Sequence, residues 1–434
     1  MTPDPASGTA ELIELKAGPV AHGGHCVARH EGRVVFVRHT LPGERVLARL
    51  TESEPGARFW RADAVQILDP SPDRVPPPCP LSGPDACGGC DWQHVRLAAQ
   101  RDLKAAVLTE QLQRLAGLTP GADGVPQVVV EAADDNDGLG WRTRMRFTLD
   151  DDGNTGLRKH RSHEVIVVPR CPISHPNVQA AGVGQVPWPF PGSVDVIAPA
   201  DGDERLVIAE PRNPRHAAVP ALPGASSAAV RQPGGGLRRL SGRTWVREHV
   251  LVRGEDRQFR ITGIGFWQVH PRAAQILLDA VLDAAAPRQG ERIADLYCGA
   301  GLFATGLAIA AGPGGTVVAI ESDERAVRDA RRSLHDLPQI EVWAGDVAVM
   351  VPRIRSAGVV VLDPPRTGAG RRVMSGIASL HPRVIVYVAC DPAALARDIA
   401  FAAADGYRLV RLRAFDLFPM THHLECVAAL IRPA

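Results

Sequence analysis

The chain has 434 residues, of which 45% are hydrophobic and 22% are charged, and its formal net charge is only +1. This length exceeds what one hydrophobic core supports, so we expect two to four domains. No apolar run reaches the roughly 20 residues that cross a membrane, and the N-terminus lacks the features of a signal peptide. The sequence predicts a cytoplasmic, multi-domain protein and excludes a globally basic nucleic-acid binder, while local basic patches are still permitted.

The N-terminal segment, residues 9–68, is predicted to be all β. The stretch GRVVFVRHTLPGERVLARLTE contains two strand-like runs around a Leu-Pro-Gly-Glu turn, and FWRADAVQIL contains a third. The Pro-rich DPSPDRVPPPCP that follows indicates a stiff connector.

Three cysteines lie close together in CPLSGPDACGGC, namely Cys79, Cys87 and Cys90, and Cys171 follows much later in VPRCPI. Cysteines in a reducing compartment are poor candidates for disulfides, and a cluster of them indicates metal binding or catalysis. Four thiols suit either zinc or an iron–sulfur cluster. Their spacing alone does not choose between the two, and it leaves unpaired structural thiols as an alternative.

A helix is predicted from about Val95 to Leu115, because leucines recur there at helical spacing until a glycine ends the pattern. Residues 126–265 are predicted to form a mostly β region, within which 187–236 is too irregular to assign. From about Phe266 strands and helices alternate, which predicts a doubly wound α/β domain with a mainly parallel sheet.

The stretch RIADLYCGAGLFATGLAIA has the pattern of a strand, a turn with Gly299 and Gly301, and a helix. Glycines at the end of such a strand allow close approach of a nucleotide-like ligand. The next strand ends at Glu321, where an acid suits ribose hydroxyls, and two later strand ends carry Asp346 and Asp363. The turn lacks the last glycine of the Gly-x-Gly-x-x-Gly pattern that is typical of dinucleotide binding. It is more similar to a turn that binds S-adenosylmethionine. The alternative is an ordinary turn with incidental glycines.

The stretch VIVYVACDPAALARD places Cys390 at the end of an apolar strand, and FPMTHHLECVAAL places Glu425 in another. A buried charge is costly without a function or a partner. A uracil ring accepts a methyl group at carbon-5 after a thiolate has added to carbon-6, and a base must then remove the carbon-5 proton. The two residues suit this chemistry. The alternative for Cys390 is a buried thiol of the hydrophobic core. The alternative for Glu425 is a strand residue held in a salt bridge.

These motifs resemble those of the RNA uracil-5-methyltransferase family, which makes 5-methyluridine in ribosomal or transfer RNA. The resemblance covers nearly the whole chain. VACDPAALARD resembles the family's nucleophile motif and FPMTHHLE its general-base motif, which implies that Cys390 and Glu425 are catalytic. FWQVH and DLYCGAG resemble the family's cofactor motifs. The resemblance implies that S-adenosylmethionine contacts Gln268, Tyr297, Glu321, Asp346 and Asp363.

The resemblance extends to the first half of the chain. Residues 9–68 resemble a TRAM domain, a small β-barrel whose arginines and aromatic rings could contact phosphates and stack on bases. The candidate contacts are Arg29, Arg33, Arg38, Arg58, Arg61, Phe36, Phe59 and Trp60. The cysteines resemble the four-iron, four-sulfur site of the family's ribosomal RNA branch, with a longer first gap. This implies that the metal ligands are Cys79, Cys87, Cys90 and Cys171, and that the cluster holds the central domain in shape and positions RNA.

Three positions depart from the family, which usually has Asn where this chain has His270, Leu302 and Asp391. The change at Leu302 removes a polar cofactor contact. An ionised and unpaired Asp391 would raise the pKa of the neighbouring thiol. Retention of both catalytic residues favours an enzyme over an RNA-binding or folding factor with weak or lost catalysis. Among enzymes, the alternative reaction is methylation of another pyrimidine such as cytosine.

The resulting prediction is a monomeric, multi-domain α+β and α/β protein. It comprises a TRAM-like, OB-like RNA-binding β-barrel over residues 9–68, a central mostly β domain over 75–265 with the four cysteines, and a Rossmann-like methyltransferase domain over 266–434. The expected reaction forms 5-methyluridine through a covalent adduct, in ribosomal more than transfer RNA. The expected cofactors are S-adenosylmethionine and a four-iron, four-sulfur cluster.

Overall fold

The computed structural model describes residues 12–54, 56–213 and 219–433. The start of the predicted TRAM segment, residues 9–11, therefore lies outside the described residues, as do residues 214–218 of the central region and residue 434 of the predicted methyltransferase domain. Within the described ranges no helix is long and apolar enough to cross a membrane.

The N-terminal strands form one five-stranded sheet with its own small core. The two runs around the Leu-Pro-Gly-Glu turn are strands, as predicted. They do not pair with each other, because the last strand lies between them, parallel to one and antiparallel to the other. The strands are β1 (Leu12–Lys16), β2 (Cys26–His30), β3 (Arg33–Arg38), β4 (Arg45–Glu52) and β5 (Phe59–Asp69), in the order β1-β4-β5-β3-β2.

The predicted long helix is present as α1 (Leu97–Gln111), which continues as a π-helical turn over Leu112–Ala116. It ends at Gly117, whose left-handed φ of 66° is the conformation that glycine adopts most readily at a helix end. Inside α1 the ammonium of Lys104 is fully buried and donates to Asp416 Oδ1 at 2.5 Å and to the Phe418 carbonyl at 3.1 Å. This ion pair ties α1 to the C-terminal part of the chain.

The central region contains a seven-stranded sheet in the order β13-β12-β11-β10-β7-β8-β9 and a separate hairpin of β14 and β15. The stretch 187–236, which the sequence left unassigned, holds three of these strands between loops rich in Pro and Gly. The elements are β6 (Val130–Ala132), β7 (Arg144–Leu149), β8 (Thr155–Arg158), β9 (Val165–Val167), α2 (Pro176–Ala180), β10 (Gly192–Ile197), β11 (Leu206–Pro211), β12 (Ser227–Arg231), β13 (Leu237–Ser241), β14 (Trp245–Val252) and β15 (Glu255–Thr262).

The C-terminal region is the doubly wound domain that the sequence predicted. Its elements are α3 (Ala273–Ala285), β16 (Arg292–Leu296), α4 (Leu302–Ala311), β17 (Thr316–Glu321), α5 (Glu324–Ser333), β18 (Ile340–Ala344), α6 (Val347–Met350), β19 (Val359–Leu362), α7 (Gly370–Ala378), β20 (Val384–Ala389), α8 (Pro392–Ala404), β21 (Arg408–Asp416) and β22 (Glu425–Ile431).

One sheet in the order β18-β17-β16-β19-β20-β22-β21-β6 organises this region. The first five strands are parallel, and β22 lies antiparallel to both of its neighbours. Strands such as β19 and β20 are apolar throughout because hydrophobic clusters cover both faces of the sheet. The edge strand β6 comes from the segment that we assigned to the central domain, and it pairs in parallel with β21.

The Lys104–Asp416 ion pair yields a stability prediction. Changing Lys104 to Met keeps the volume of the side chain but leaves the Asp416 carboxylate buried without its partner, so we expect a loss of about 3–5 kcal/mol in the free energy of unfolding. Denaturant titration measures this loss. As a control, Arg114→Ala breaks an exposed pair with Glu110 at 3.0 Å, and it should cost about 0.5 kcal/mol or less. Equal effects of the two changes would contradict the assigned role of Lys104.

Candidate active site

The carboxyl ends of the five parallel strands meet along one edge of the sheet, which is where open α/β sheets bind their ligands. Four of the five predicted cofactor residues lie at or just beyond these strand ends, and the predicted nucleophile lies there too. These residues are Tyr297 after β16, Glu321 at the end of β17, Asp346 after β18, Asp363 after β19 and Cys390 after β20.

The carboxylate of Glu321 is held against the glycine-rich turn by three backbone amides. The Gly299 amide donates to Oε2 at 3.0 Å, while the Ser322 and Asp323 amides donate to Oε1 at 2.6 and 2.7 Å. Tyr297 has a positive φ of 61°, which is strained for a tyrosine and is typical of functional sites. A Cβ atom built on Gly299 meets no atom within 4 Å, so the turn has open space for a ligand.

A second acid at this edge, Asp295, was not singled out from the sequence. It is fully buried in β16, and neither of its carboxylate oxygens has a hydrogen-bond partner of ordinary geometry among the described residues. Burial raises the pKa of Asp295 well above its usual range, and the nearby Asp363 and Glu321 add to the effect. The sequence signal for Asp295 was its place at the start of the cofactor-like DLYCGAG motif, inside a mainly apolar strand. Such a group of acids suits a cationic ligand.

The remaining predicted cofactor residues differ in their surroundings. Burial raises the pKa of the Tyr297 phenol to about 12, with further contributions from Asp346 and Asp398. Asp346 is exposed and accepts a hydrogen bond from the Val349 amide at 3.2 Å, which caps α6. Gln268 is buried in the loop between β15 and α3. The roles of these residues as cofactor contacts stay predictions.

Two of the three departures from the family pattern are accommodated by packing. Leu302 begins α4 and is buried in the main hydrophobic cluster. His270 is buried, stacks on Trp141 with 6.1 Å between ring centroids, and has Nε2 at 3.4 Å from Asp134 Oδ2. Burial lowers the pKa of His270, which favours the neutral ring.

The pairing of β20 with β22 brings the two predicted catalytic residues together. Ala389 lies opposite Cys426 in this antiparallel ladder, so the next position along each strand places Cys390 opposite Glu425. Cys390 is half-buried at the end of β20, while Glu425 is buried with 5% of its surface exposed. The ladder thus places the backbones of a thiol and a carboxyl group side by side.

The charges around Cys390 oppose the formation of a thiolate. Burial raises the pKa of this thiol to about 12, with contributions from Glu425 and Asp363 that are partly offset by Arg366. Burial likewise raises the pKa of Glu425 well above its usual range and that of Asp363 to about 7. The thiol is therefore protonated at neutral pH in the free protein, and additional positive charge is needed to activate it.

Cys390 opens into a cavity of about 140 Å³ that four segments of the chain enclose. They are the loop between β1 and β2, helix α1, the strand ends of the C-terminal sheet, and the loop before β22. Its lining residues are His22, Gly23, Gly24, Val107, Arg366, Cys390, Asp391, Pro392, His422, His423 and Leu424.

The loop before β22 is held by the segment that follows the cysteine motif. The amides of Asp91 and Trp92 both donate to the Met420 carbonyl at 3.0 Å. Asp91 Oδ2 lies 2.7 Å from His422 Nδ1 and also accepts from the His422 amide at 3.2 Å. The position of the loop that leads to Glu425 therefore depends on the cysteine segment.

The four cysteines of the metal prediction line one cavity of about 120 Å³, although Cys171 is far from the others in sequence. Burial raises the pKa values of Cys87, Cys90 and Cys171, and the Gly89 amide donates to Cys87 Sγ at 3.4 Å. Across the described ranges, no group of three or more His, Cys, Asp or Glu is arranged to hold a metal ion.

The candidate RNA contacts of the N-terminal sheet are largely paired with one another. Arg33 lies over the Trp60 ring at 4.5 Å, and Arg61 lies over the Phe59 ring at 4.8 Å. These rings are therefore covered on one face by a guanidinium group. Of the other candidates, Arg29 and Arg58 are exposed, while Arg38 and Phe36 are partly buried.

Comparison with known proteins identifies the class of this chain. Three family models match it: the TRAM domain over residues 12–65, the methyltransferase small domain over 267–378, and tRNA (Uracil-5-)-methyltransferase over 354–433. An uncharacterized RNA methyltransferase of Streptomyces avermitilis is 51% identical over 428 residues, which cover 97% of this chain and 98% of the relative.

A relative from a Shewanella species carries a specific name, 23S rRNA (uracil(1939)-C(5))-methyltransferase RlmD. It is 30% identical over 439 residues, which cover 94% of this chain and 93% of the relative. The chain belongs to the RNA uracil-5-methyltransferase family. It is therefore an RNA methyltransferase with a TRAM domain, as predicted, and membership of the family supports S-adenosylmethionine as its cofactor.

The fold of a solved member of this family agrees with the prediction. The tRNA (uracil-54, C5)-methyltransferase of Pyrococcus abyssi, solved in complex with S-adenosyl-L-homocysteine, superposes with a TM-score of 0.71. The match covers 96% of this chain and 100% of that one at 22% identity. It confirms the predicted combination of an N-terminal β domain and a Rossmann-like methyltransferase domain.

Proposed function

We propose that this member of the uracil-5-methyltransferase family methylates carbon-5 of a uridine in ribosomal RNA, with Cys390 as nucleophile and Glu425 as general base. The observation that carries the proposal is the β20–β22 register, which places these two residues opposite each other at the cofactor edge. The name of the Shewanella relative supports ribosomal RNA. One chain supplies all of these residues, which supports a monomer, and we propose that it acts in the cytoplasm.

The proposed reaction runs through a covalent adduct. The Cys390 thiol loses its proton to solvent, and the resulting thiolate bonds to carbon-6 and shifts the ring's π electrons to carbon-5. Carbon-5 then takes the methyl group as the carbon–sulfur bond of the methyl donor breaks. The Glu425 carboxylate then removes the carbon-5 proton. The electrons of that C–H bond restore the carbon-5–carbon-6 double bond, and the sulfur of Cys390 leaves with its bonding pair.

The electrostatics of the site favour activation of the thiol when the cationic methyl donor is present. S-adenosylmethionine supplies the methyl group from a cationic sulfonium centre. The acids at the sheet edge, Asp295, Glu321 and Asp363, suit the binding of that cation, and Asp295 is fully buried there. A bound cation would lower the pKa values of Cys390 and Glu425. The chain thereby limits the reactivity of its thiol in the absence of substrates.

We further propose that Cys79, Cys87, Cys90 and Cys171 hold a four-iron, four-sulfur cluster. All four thiols line one cavity of about 120 Å³ although Cys171 is far from the others in sequence, which supports a shared site. Four cysteine thiolates are the usual ligands of such a cluster. The same segment binds Met420 and His422, so the cluster would hold the loop that leads to Glu425.

The nucleophile can be tested with RNA that carries 5-fluorouracil at the target uridine. This ring has no proton for the base to remove, so we expect the wild type to form a covalent complex that requires S-adenosylmethionine. Mass spectrometry should locate the adduct on the Cys390 peptide. Cys390→Ser should abolish trapping and turnover, since a hydroxyl is a far weaker nucleophile, while Cys426→Ala should retain both. An adduct on Cys298 or Cys426 would overturn the assignment.

The general base can be tested by Glu425→Gln. This variant should still add the thiolate and transfer the methyl group, but it cannot remove the carbon-5 proton. We therefore expect covalently bound, methylated RNA to accumulate on denaturing gels. Glu131→Gln removes a carboxylate from the edge strand β6 and should turn over normally. Normal turnover of Glu425→Gln would show that another group is the base.

The cluster can be tested by metal analysis of anaerobically purified protein. We expect a brown protein with about four irons per chain, and a loss of iron in Cys87→Ala and Cys171→Ala. Cys26→Ala, in the N-terminal sheet, is the matched control and should keep its iron. Stoichiometric zinc without iron would contradict the cluster.

A further inference from the structure

Asp391, the residue directly after the nucleophile, is bound by a histidine from the N-terminal domain. His22 lies in the loop between β1 and β2, and its Nε2 is 3.0 Å from Asp391 Oδ2. The other oxygen of Asp391 accepts from the Ala394 amide at 2.8 Å and caps α8. His22 and Asp391 both line the Cys390 cavity. The contact joins two domains at the nucleophile.

The loop that carries His22 is fixed in place by further contacts. The indole nitrogen of Trp92 donates to the Gly24 carbonyl at 3.0 Å. A Cβ atom on Gly24 would lie 2.8 Å from the Cβ of His422, so only glycine allows this close packing. The loop thus touches the nucleophile segment on one side and the general-base loop on the other.

The charges explain why such a contact matters. Asp391 is one of three acids, with Glu425 and Asp363, that raise the pKa of the Cys390 thiol, and Arg366 is the group that lowers it. The hydrogen bond to Asp391 raises the pKa of His22, against the opposing effect of burial. Burial also opposes ionisation of Asp391, but the bonds from His22 and Ala394 hold its pKa below the usual range. The pair therefore favours the doubly charged form.

We propose that His22 is a positioning residue of the active site, which binds Asp391 and neutralises the carboxylate next to the nucleophile. The TRAM domain then contributes to catalysis as well as to RNA binding. Asp391 replaces the asparagine that is usual in the family, and His22 of the TRAM domain supplies its counter-charge. The proposal rests on the proposed role of Cys390 as nucleophile.

The test measures the reactivity of Cys390 in the free protein, without RNA or cofactor. Iodoacetamide alkylation of the Cys390 peptide is followed by mass spectrometry at pH 6, where the raised pKa of His22 keeps its ring charged. Loss of the counter-charge in His22→Ala should raise the pKa of the thiol and slow alkylation about three- to tenfold. Asp391→Asn should accelerate alkylation. The double variant should behave as Asp391→Asn, because His22 acts through the carboxylate alone.

The control is His249→Ala, which breaks another half-exposed His–Asp pair, with Asp256 at 3.0 Å on the β14–β15 hairpin. It should leave the alkylation rate unchanged. An alkylation rate that is unchanged in His22→Ala would overturn the proposal. So would a double variant in which His22→Ala slows alkylation of Asp391→Asn as much as it slows alkylation of the wild type. Because this readout needs no methyl transfer, it is separate from the 5-fluorouracil trap, whose failure would overturn the proposed reaction instead.

Discussion

The antiparallel pairing of β22 beside β20 is the constraint on which the rest of the site depends. It turns a parallel sheet into a mixed one and places Glu425 opposite Cys390. A shift of one residue would move every side chain of β22 to the other face of the sheet. Both strands are apolar and covered on both faces, so such a shift is costly and the register is well defined. The hydrophobic core thereby fixes the geometry of the two polar residues.

The same edge of the sheet concentrates acidic side chains. Asp295, Glu321, Asp363 and Glu425 lie at or near strand ends, and burial raises the pKa values of Asp295, Asp363 and Glu425. An acid-rich edge attracts cations, and it disfavours ionisation of the Cys390 thiol when no cation is bound. The surrounding domains modify this balance, since Arg366 and His22 are among the basic side chains that line the cavity beside Cys390.

The sequence predicted the features that depend on short-range pattern. Apolar runs located the strands whose ends carry Glu321, Cys390 and Glu425, and leucine spacing located α1. It could not predict contacts between distant segments. The His22–Asp391 pair joins residues 369 positions apart, and the short strand β6 joins the sheet of a later domain. Asp295 begins the DLYCGAG motif, but no role was predicted for it, because its complete burial depends on the packing of distant segments.

We propose that Cys390 and Glu425 together catalyse methylation of a uridine in ribosomal RNA. The most direct test is a map of 5-methyluridine in total RNA from a strain that lacks this protein. We expect one ribosomal position to lose its methyl group in this strain. The wild-type protein should restore the methyl group, and the Cys390→Ala variant should not. Loss of 5-methyluridine from transfer RNA alone would contradict the assigned substrate. A full set of 5-methyluridines in the deletion strain would contradict the assigned reaction.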